Sequence, residues 1–70
     1  MSAFPAVKAK RALAALERIG WSTKQKTGSH RTMSRAGWPD VVFAFHESDE
    51  IGPRMMARLA KQTGLTPDDI

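Results

Sequence analysis

The sequence predicts an α+β fold of order α-β-β-β-α, a three-stranded antiparallel sheet with two helices on one face. Three observations predict it. Apolar residues recur at helical spacing from Val7 to Ile19 and again from Met56 to Thr63. Between these stretches, Val41-Val42-Phe43-Ala44-Phe45 has the composition of a strand. Ahead of it, Thr27-Gly28-Ser29 separates Trp21–Lys26 from His30–Arg35, as the turn of a hairpin would. The 70 residues leave room for one domain, expected to span 1–70. A chain this short hides only about 60% of the surface it exposes when unfolded, so its core must be thin.

The first helix is expected from Ala6 to Ile19. Pro5 suits its first position, where the missing N–H costs nothing. Val7, Ala9, Ala12, Leu13, Leu16 and Ile19 form the stripe to be buried, with Lys8, Arg11 and Arg18 towards the other side. Gly20 is the expected stop, and Trp21 folds back into the core. The strand Trp21–Lys26 is polar and lysine-bearing, which suits a half-exposed edge. After the hairpin, Ala36-Gly37-Trp38-Pro39 reads as a second turn. In the third strand Val41, Phe43 and Phe45 share the face expected to meet the core. His46 to Glu50 read as an acidic loop. The second helix has Pro53 in its first turn and Gly64 at its end. Met56, Leu59, Ala60 and Thr63 lie on one face of it, and Arg54, Arg58 and Lys61 on the other. Thr66 is placed to cap a last turn with Asp69, although the chain ends before that turn can develop.

Composition narrows the function classes. Hydrophobic residues at 41% and charged residues at 26% are ordinary for a folded protein. With no cysteine there is no disulfide framework, thiol nucleophile or Cys-ligated metal site. No apolar run approaches the ~18 residues of a membrane span and no signal peptide is evident, so a soluble cytoplasmic protein is expected. The net charge of +4 is unevenly spread. Residues 1–38 carry eight bases against one acid, and residues 39–70 three bases against six acids. A basic half on a small domain points to a polyanionic partner, the plainer alternative being a solvated surface.

Three stretches carry a family resemblance. Leu16-Glu17-Arg18-Ile19-Gly20-Trp21 is similar to a helix end followed by Gly-aromatic. Lys26-Thr27-Gly28-Ser29-His30-Arg31 contains a Gly-Ser-His signature. His46 and Glu50-Ile51-Gly52-Pro53, then Leu59 through Leu65, look like the closing helix and its Gly-aliphatic end. In this order they resemble the HicA toxin family, small ribonucleases of bacterial toxin–antitoxin pairs. The chain departs from the family pattern at Thr32 and Ala44. The resemblance implies a double-stranded-RNA-binding-like fold, metal-independent cleavage of mRNA and inhibition by a HicB-like antitoxin. It places the family's catalytic histidine at His30.

The residues suit that chemistry. RNA supplies its own nucleophile, the 2′-hydroxyl, and a histidine with a pKa of ~6.5 can take or give the proton. By position alone His30 reads as a surface histidine at a hairpin end; the Gly-Ser-His match makes it the expected catalytic group. Lys24, Lys26, Arg31 and Arg35 lie on the same hairpin and are candidates to hold RNA phosphates, as are the Gly28 backbone and the Ser29 hydroxyl. Each has a structural alternative as a solvated strand charge or a turn-stabilising group. His46 is a candidate second proton carrier. Trp38 is a candidate for base stacking, antitoxin contact or core. His30, Asp40, His46, Glu47, Asp49 and Glu50 have no regular ligand spacing, so no metal or other cofactor is expected. The competing function is a non-catalytic double-stranded-RNA-binding module, for which Arg54, Arg58 and Lys61 supply a basic helix face. A helix-turn-helix DNA binder is disfavoured by the strand run between the helices.

Overall fold

The computed structural model describes residues 4–70. A short strand β1 (Val7–Lys8) leads into helix α1 (Ala9–Arg18). Strands β2 (Ser22–Thr27), β3 (His30–Arg35) and β4 (Trp38–Ala44) follow. Then come β5 (Glu50–Ile51), helix α2 (Pro53–Thr63) and one 3-10 turn at Pro67–Asp69. The strands β2, β3 and β4 form an antiparallel sheet in that spatial order, with β3 in the middle. The expected α+β arrangement is therefore present, with an added two-stranded pair, β1 with β5.

That pair corrects the expected start of the first helix. Val7 lies opposite Ile51 and Lys8 opposite Glu50, so the chain is still extended where a helix from Ala6 was expected. Pro5 precedes a strand instead of opening a helix. Lys8 stands at the N-cap without a side-chain cap. The amides of Ala9 and Lys10 instead donate to the carbonyls of Asp49 and Glu47, at 2.7 and 3.1 Å. Helix starts leave N–H groups without partners, and here the acidic loop supplies backbone acceptors and negative charge together. The acidic loop, which ends at Asp49 because Glu50 belongs to β5, thereby has a structural task.

The core is formed by one face of the sheet and both helices. From α1 come Ala9, Ala12, Leu13, Ala15 and Leu16; from the sheet Met33, Val41 and Phe43; from α2 Met56, Leu59 and Thr63. Phe45 is only partly buried and meets Phe43 edge to face at 5.2 Å. The strand β4 starts at Trp38, so Pro39 lies inside it and the tight turn shrinks to Ala36-Gly37. Pro is admissible there because β4 is a sheet edge.

Trp21 joins the layers. It is 2% exposed, and its indole N–H donates to the Thr63 carbonyl at 3.0 Å. That carbonyl belongs to the last turn of α2, where carbonyls lack helical partners. The Thr63 hydroxyl donates to Leu59 O and accepts from the Leu65 amide, so this buried polar residue is satisfied. Gly64 then takes the left-handed conformation, φ 76°, that ends the helix. A Cβ on Gly64 would lie 2.8 Å from the Trp38 ring. Trp38 meets Trp21 edge to face at 6.0 Å and receives the Arg35 guanidinium at 5.3 Å, yet stays 38% exposed. It is a lid on the core with one open face.

The C-terminal turn develops further than expected. Asp69 accepts from the Thr66 amide and hydroxyl, at 2.8 and 2.9 Å, completing a capping box. These bonds, the amide's first, hold the Asp69 carboxyl below its ordinary pKa, with help from Arg18. The Arg18 guanidinium also donates to the Asp69 carbonyl, tying the chain end to α1.

Candidate functional site

The hairpin that carries Gly-Ser-His turns in two residues. Thr27 pairs with His30 across Gly28-Ser29. Gly28 has φ 59° and Ser29 has no positive φ, the pattern of a type II′ turn, which demands glycine at its first central position. The turn thus places His30 at the head of the middle strand, between Thr27 of β2 and Ala44 of β4. Directly paired residues point to the same side of a sheet, so His30 faces outward with Thr27, Ala44, Thr32 and Val42. Its side chain is exposed and makes no hydrogen bond to any described residue.

The cationic candidates separate into three groups. Lys26 and Arg31 pair with each other and alternate with His30, so they point to the opposite side of the hairpin. There they line a shallow cavity of about 100 Å³ with Ser29, Phe45, His46 and Glu47. His30 and His46 do not share that cavity. Beyond the end of β4 the His46 amide donates to the Asp49 carboxylate at 2.9 Å, which turns the chain into the acidic loop. Lys24, at an irregularity in the β2–β3 pairing, reaches across β3 to the Asp40 carboxylate at 3.1 Å. Both partners are well exposed, 62% and 45%, so the pair exchanges readily with solvent and other anions. Arg35 sits at the other end of β3, about 17 Å along the strand from His30 at ~3.3 Å per residue. It packs over Trp38.

The structure thus brings Gly28, Ser29 and His30 together at the turn, with Lys26 and Arg31 behind it and Lys24 to one side. Asp40, which engages Lys24, was not among the expected site residues. Its role depends on strand register, which no local pattern in the sequence reports. Among the described residues, no group of three or more His, Asp or Glu side chains is placed to hold a metal ion. No described helix is long and apolar enough to cross a membrane.

Fold and site define a small basic α+β protein that shows one bare histidine at a glycine-turned hairpin. A family model described as "HicA toxin of bacterial toxin-antitoxin" matches residues 9–65. The chain belongs to the HicA toxin family, and so to the toxins of bacterial toxin–antitoxin pairs. No curated protein and no solved structure matches it.

Proposed function

We propose that this toxin is a metal-independent endoribonuclease that cleaves mRNA in the cytoplasm, with His30 as general acid/base, and that a HicB-like antitoxin restrains it. The observation that carries the reading is the exposed, unbonded imidazole of His30 in the Gly-Ser-His turn of a chain from this family. The 2′-hydroxyl of the substrate attacks the adjacent phosphate. His30 takes the hydroxyl proton or returns one to the leaving 5′-oxygen. Gly28 has no side chain to block a close phosphate, and nothing lies within 4 Å of where its Cβ would be. Lys26 and Arg31, on the far side of the hairpin tip, are suited to phosphates that wrap over the turn. Lys24 joins them by exchanging Asp40 for RNA. Ser29 is the further candidate at the turn, whereas the packing of Arg35 on Trp38 suits it to a structural role.

General acid–base catalysis by one group contributes about 10²–10⁴-fold. His30→Ala, assayed on RNA in EDTA, is expected to lose activity within that range. Equal cleavage by both proteins would remove His30 from the mechanism. The competing reading, a non-catalytic module for double-stranded RNA, draws on the exposed Arg54, Arg58 and Lys61 of α2. RNA binding without turnover, unchanged in His30→Ala, would favour it.

A further inference from the structure

The two edges of the sheet are built differently. The β2 edge carries Lys24 and Lys26 and a pairing irregularity between Thr23 and Gln25, devices that discourage another strand from adding. The β4 edge has Pro39 and Asp40 at its start, but Val41 to Ala44 hold no charge and no proline. Backbone direction there follows from the hairpin. Thr27 and His30 close a two-residue loop, so His30 turns its backbone groups towards β2. Alternation aims those of Arg31 and Met33 at β4, and those of their partners Phe43 and Val41 back at β3. Val42 and Ala44 therefore present N–H and C=O outward, and no described group outside the sheet bonds to them.

Beside this open edge runs α2. Two grooves lie between them, of about 520 and 210 Å³. The first is lined in part by Trp38, Val42 and Lys61, the second by Val42, Met55 and Arg58. Trp38, Val42 and Met55 are the large apolar side chains left exposed among the described residues, at 38%, 60% and 43%. All three line one strip. The strip's rim is cationic, because Arg54, Arg58 and Lys61 are exposed on α2. Its one acid, Asp40, is already engaged by Lys24.

We propose that the β4 edge is a docking site for an extended segment of an acidic partner protein, which adds a strand beside Val41–Ala44 and sets its carboxylates against Arg58 and Lys61. Strand addition takes affinity from main-chain hydrogen bonds and specificity from alternate side chains, and this edge offers both. Charge selects the occupant. A second copy pairing β4 with β4 would bring two cationic α2 helices side by side, whereas an acidic strand neutralises one. The inference stands apart from the chemistry at His30 and survives any result with His30→Ala.

The probe is a ten-residue peptide of alternating valine and glutamate, with a lysine-for-glutamate version as control. On binding, the amide protons of Val42 and Ala44 are expected to exchange more slowly by NMR. Ala44→Pro deletes an outward N–H without touching the β3–β4 ladder. Arg58→Glu reverses the rim charge at an exposed helical position, so it tests the same claim if Ala44→Pro folds poorly. Each is expected to weaken the glutamate peptide about tenfold, the effect of one lost hydrogen bond or charge contact. Unchanged affinity in folded Arg58→Glu, equal binding of the lysine peptide, or shifts confined to the β2–β3 hairpin would overturn the proposal. So would slowed exchange of Val42 and Ala44 by an RNA duplex alone, or a dimer in sedimentation that Ala44→Pro dissolves.

Discussion

Replacing Trp21 with Phe tests the joint that holds the two helices to the sheet. The substitution keeps a buried aromatic ring but removes the indole N–H and the second ring. The Thr63 carbonyl, whose partner is that N–H at 3.0 Å, is then left in a buried site at the end of α2. A stranded buried acceptor costs about 1–3 kcal/mol. The edge-to-face contact with Trp38 at 6.0 Å is also weakened, at about 0.5–1.5 kcal/mol. Together these amount to a loss of about 3 kcal/mol, from a total that for this length is about 4–10 kcal/mol. At about 4–8 °C per kcal/mol for a domain of this size, the Tm falls by about 12–24 °C. Thermal unfolding followed by far-UV circular dichroism measures it, with Trp38 as the remaining fluorophore. A fall below about 4 °C would refute the reasoning, because it would mean that the Thr63 carbonyl finds another partner at no cost.

Two other substitutions probe the C-terminal segment. Gly64→Ala forces a Cβ into the left-handed region and against the Trp38 ring, 2.8 Å away; the backbone term alone is about 1–2 kcal/mol, and both a lower midpoint in urea and altered Trp38 emission are expected. Asp69→Asn removes a carboxylate whose folded pKa lies below its ordinary value of 3.8. Since a depressed carboxylate stabilises above the unfolded pKa and stops doing so as the pH falls through the folded one, the stability gap between wild type and Asp69→Asn is expected at neutral pH and should close as the pH drops below 3.8.

Much of this architecture can be read from local patterns because each element is announced by chemistry within it. Gly64 and Pro53 mark the ends of α2, Thr66 and Asp69 mark the final cap, and the Val-Val-Phe run marks β4. What escapes such reading is what depends on partners distant in sequence. The strands β1 and β5 have two residues each, too few for any periodicity, and exist because Val7 and Ile51 meet. Ala6 to Lys8 look helical in isolation; the pairing partner and the carbonyls of Glu47 and Asp49 decide where the helix begins. The division of the cations is of the same kind. Lys24, Lys26 and Arg31 look equivalent on the hairpin, yet the irregularity at Lys24 and the alternation of the strands send them to different sides.

The placement of His30 relative to the two surfaces has a consequence for regulation. The hairpin contributes little to the core: every residue of β2 is exposed, and Met33 is the one fully buried side chain of β3. Changes at Lys24, Lys26 or His30 are therefore separable from stability, whereas changes at Trp21 or Thr63 are not. Ala44, at the end of the open β4 edge, lies directly opposite His30. A strand added beside β4 would run one sheet spacing of about 4.8 Å further out, so its outward side chains near Ala44 would stand about 10 Å from His30. A long side chain on that strand spans such a gap. A partner seated at β4 can thus reach the imidazole without touching the Gly28-Ser29 turn. One seated on the hairpin would have to displace RNA from the cations themselves. The two modes differ in a measurable way: blockade through β4 should be relieved by Ala44→Pro, while blockade at the hairpin should not.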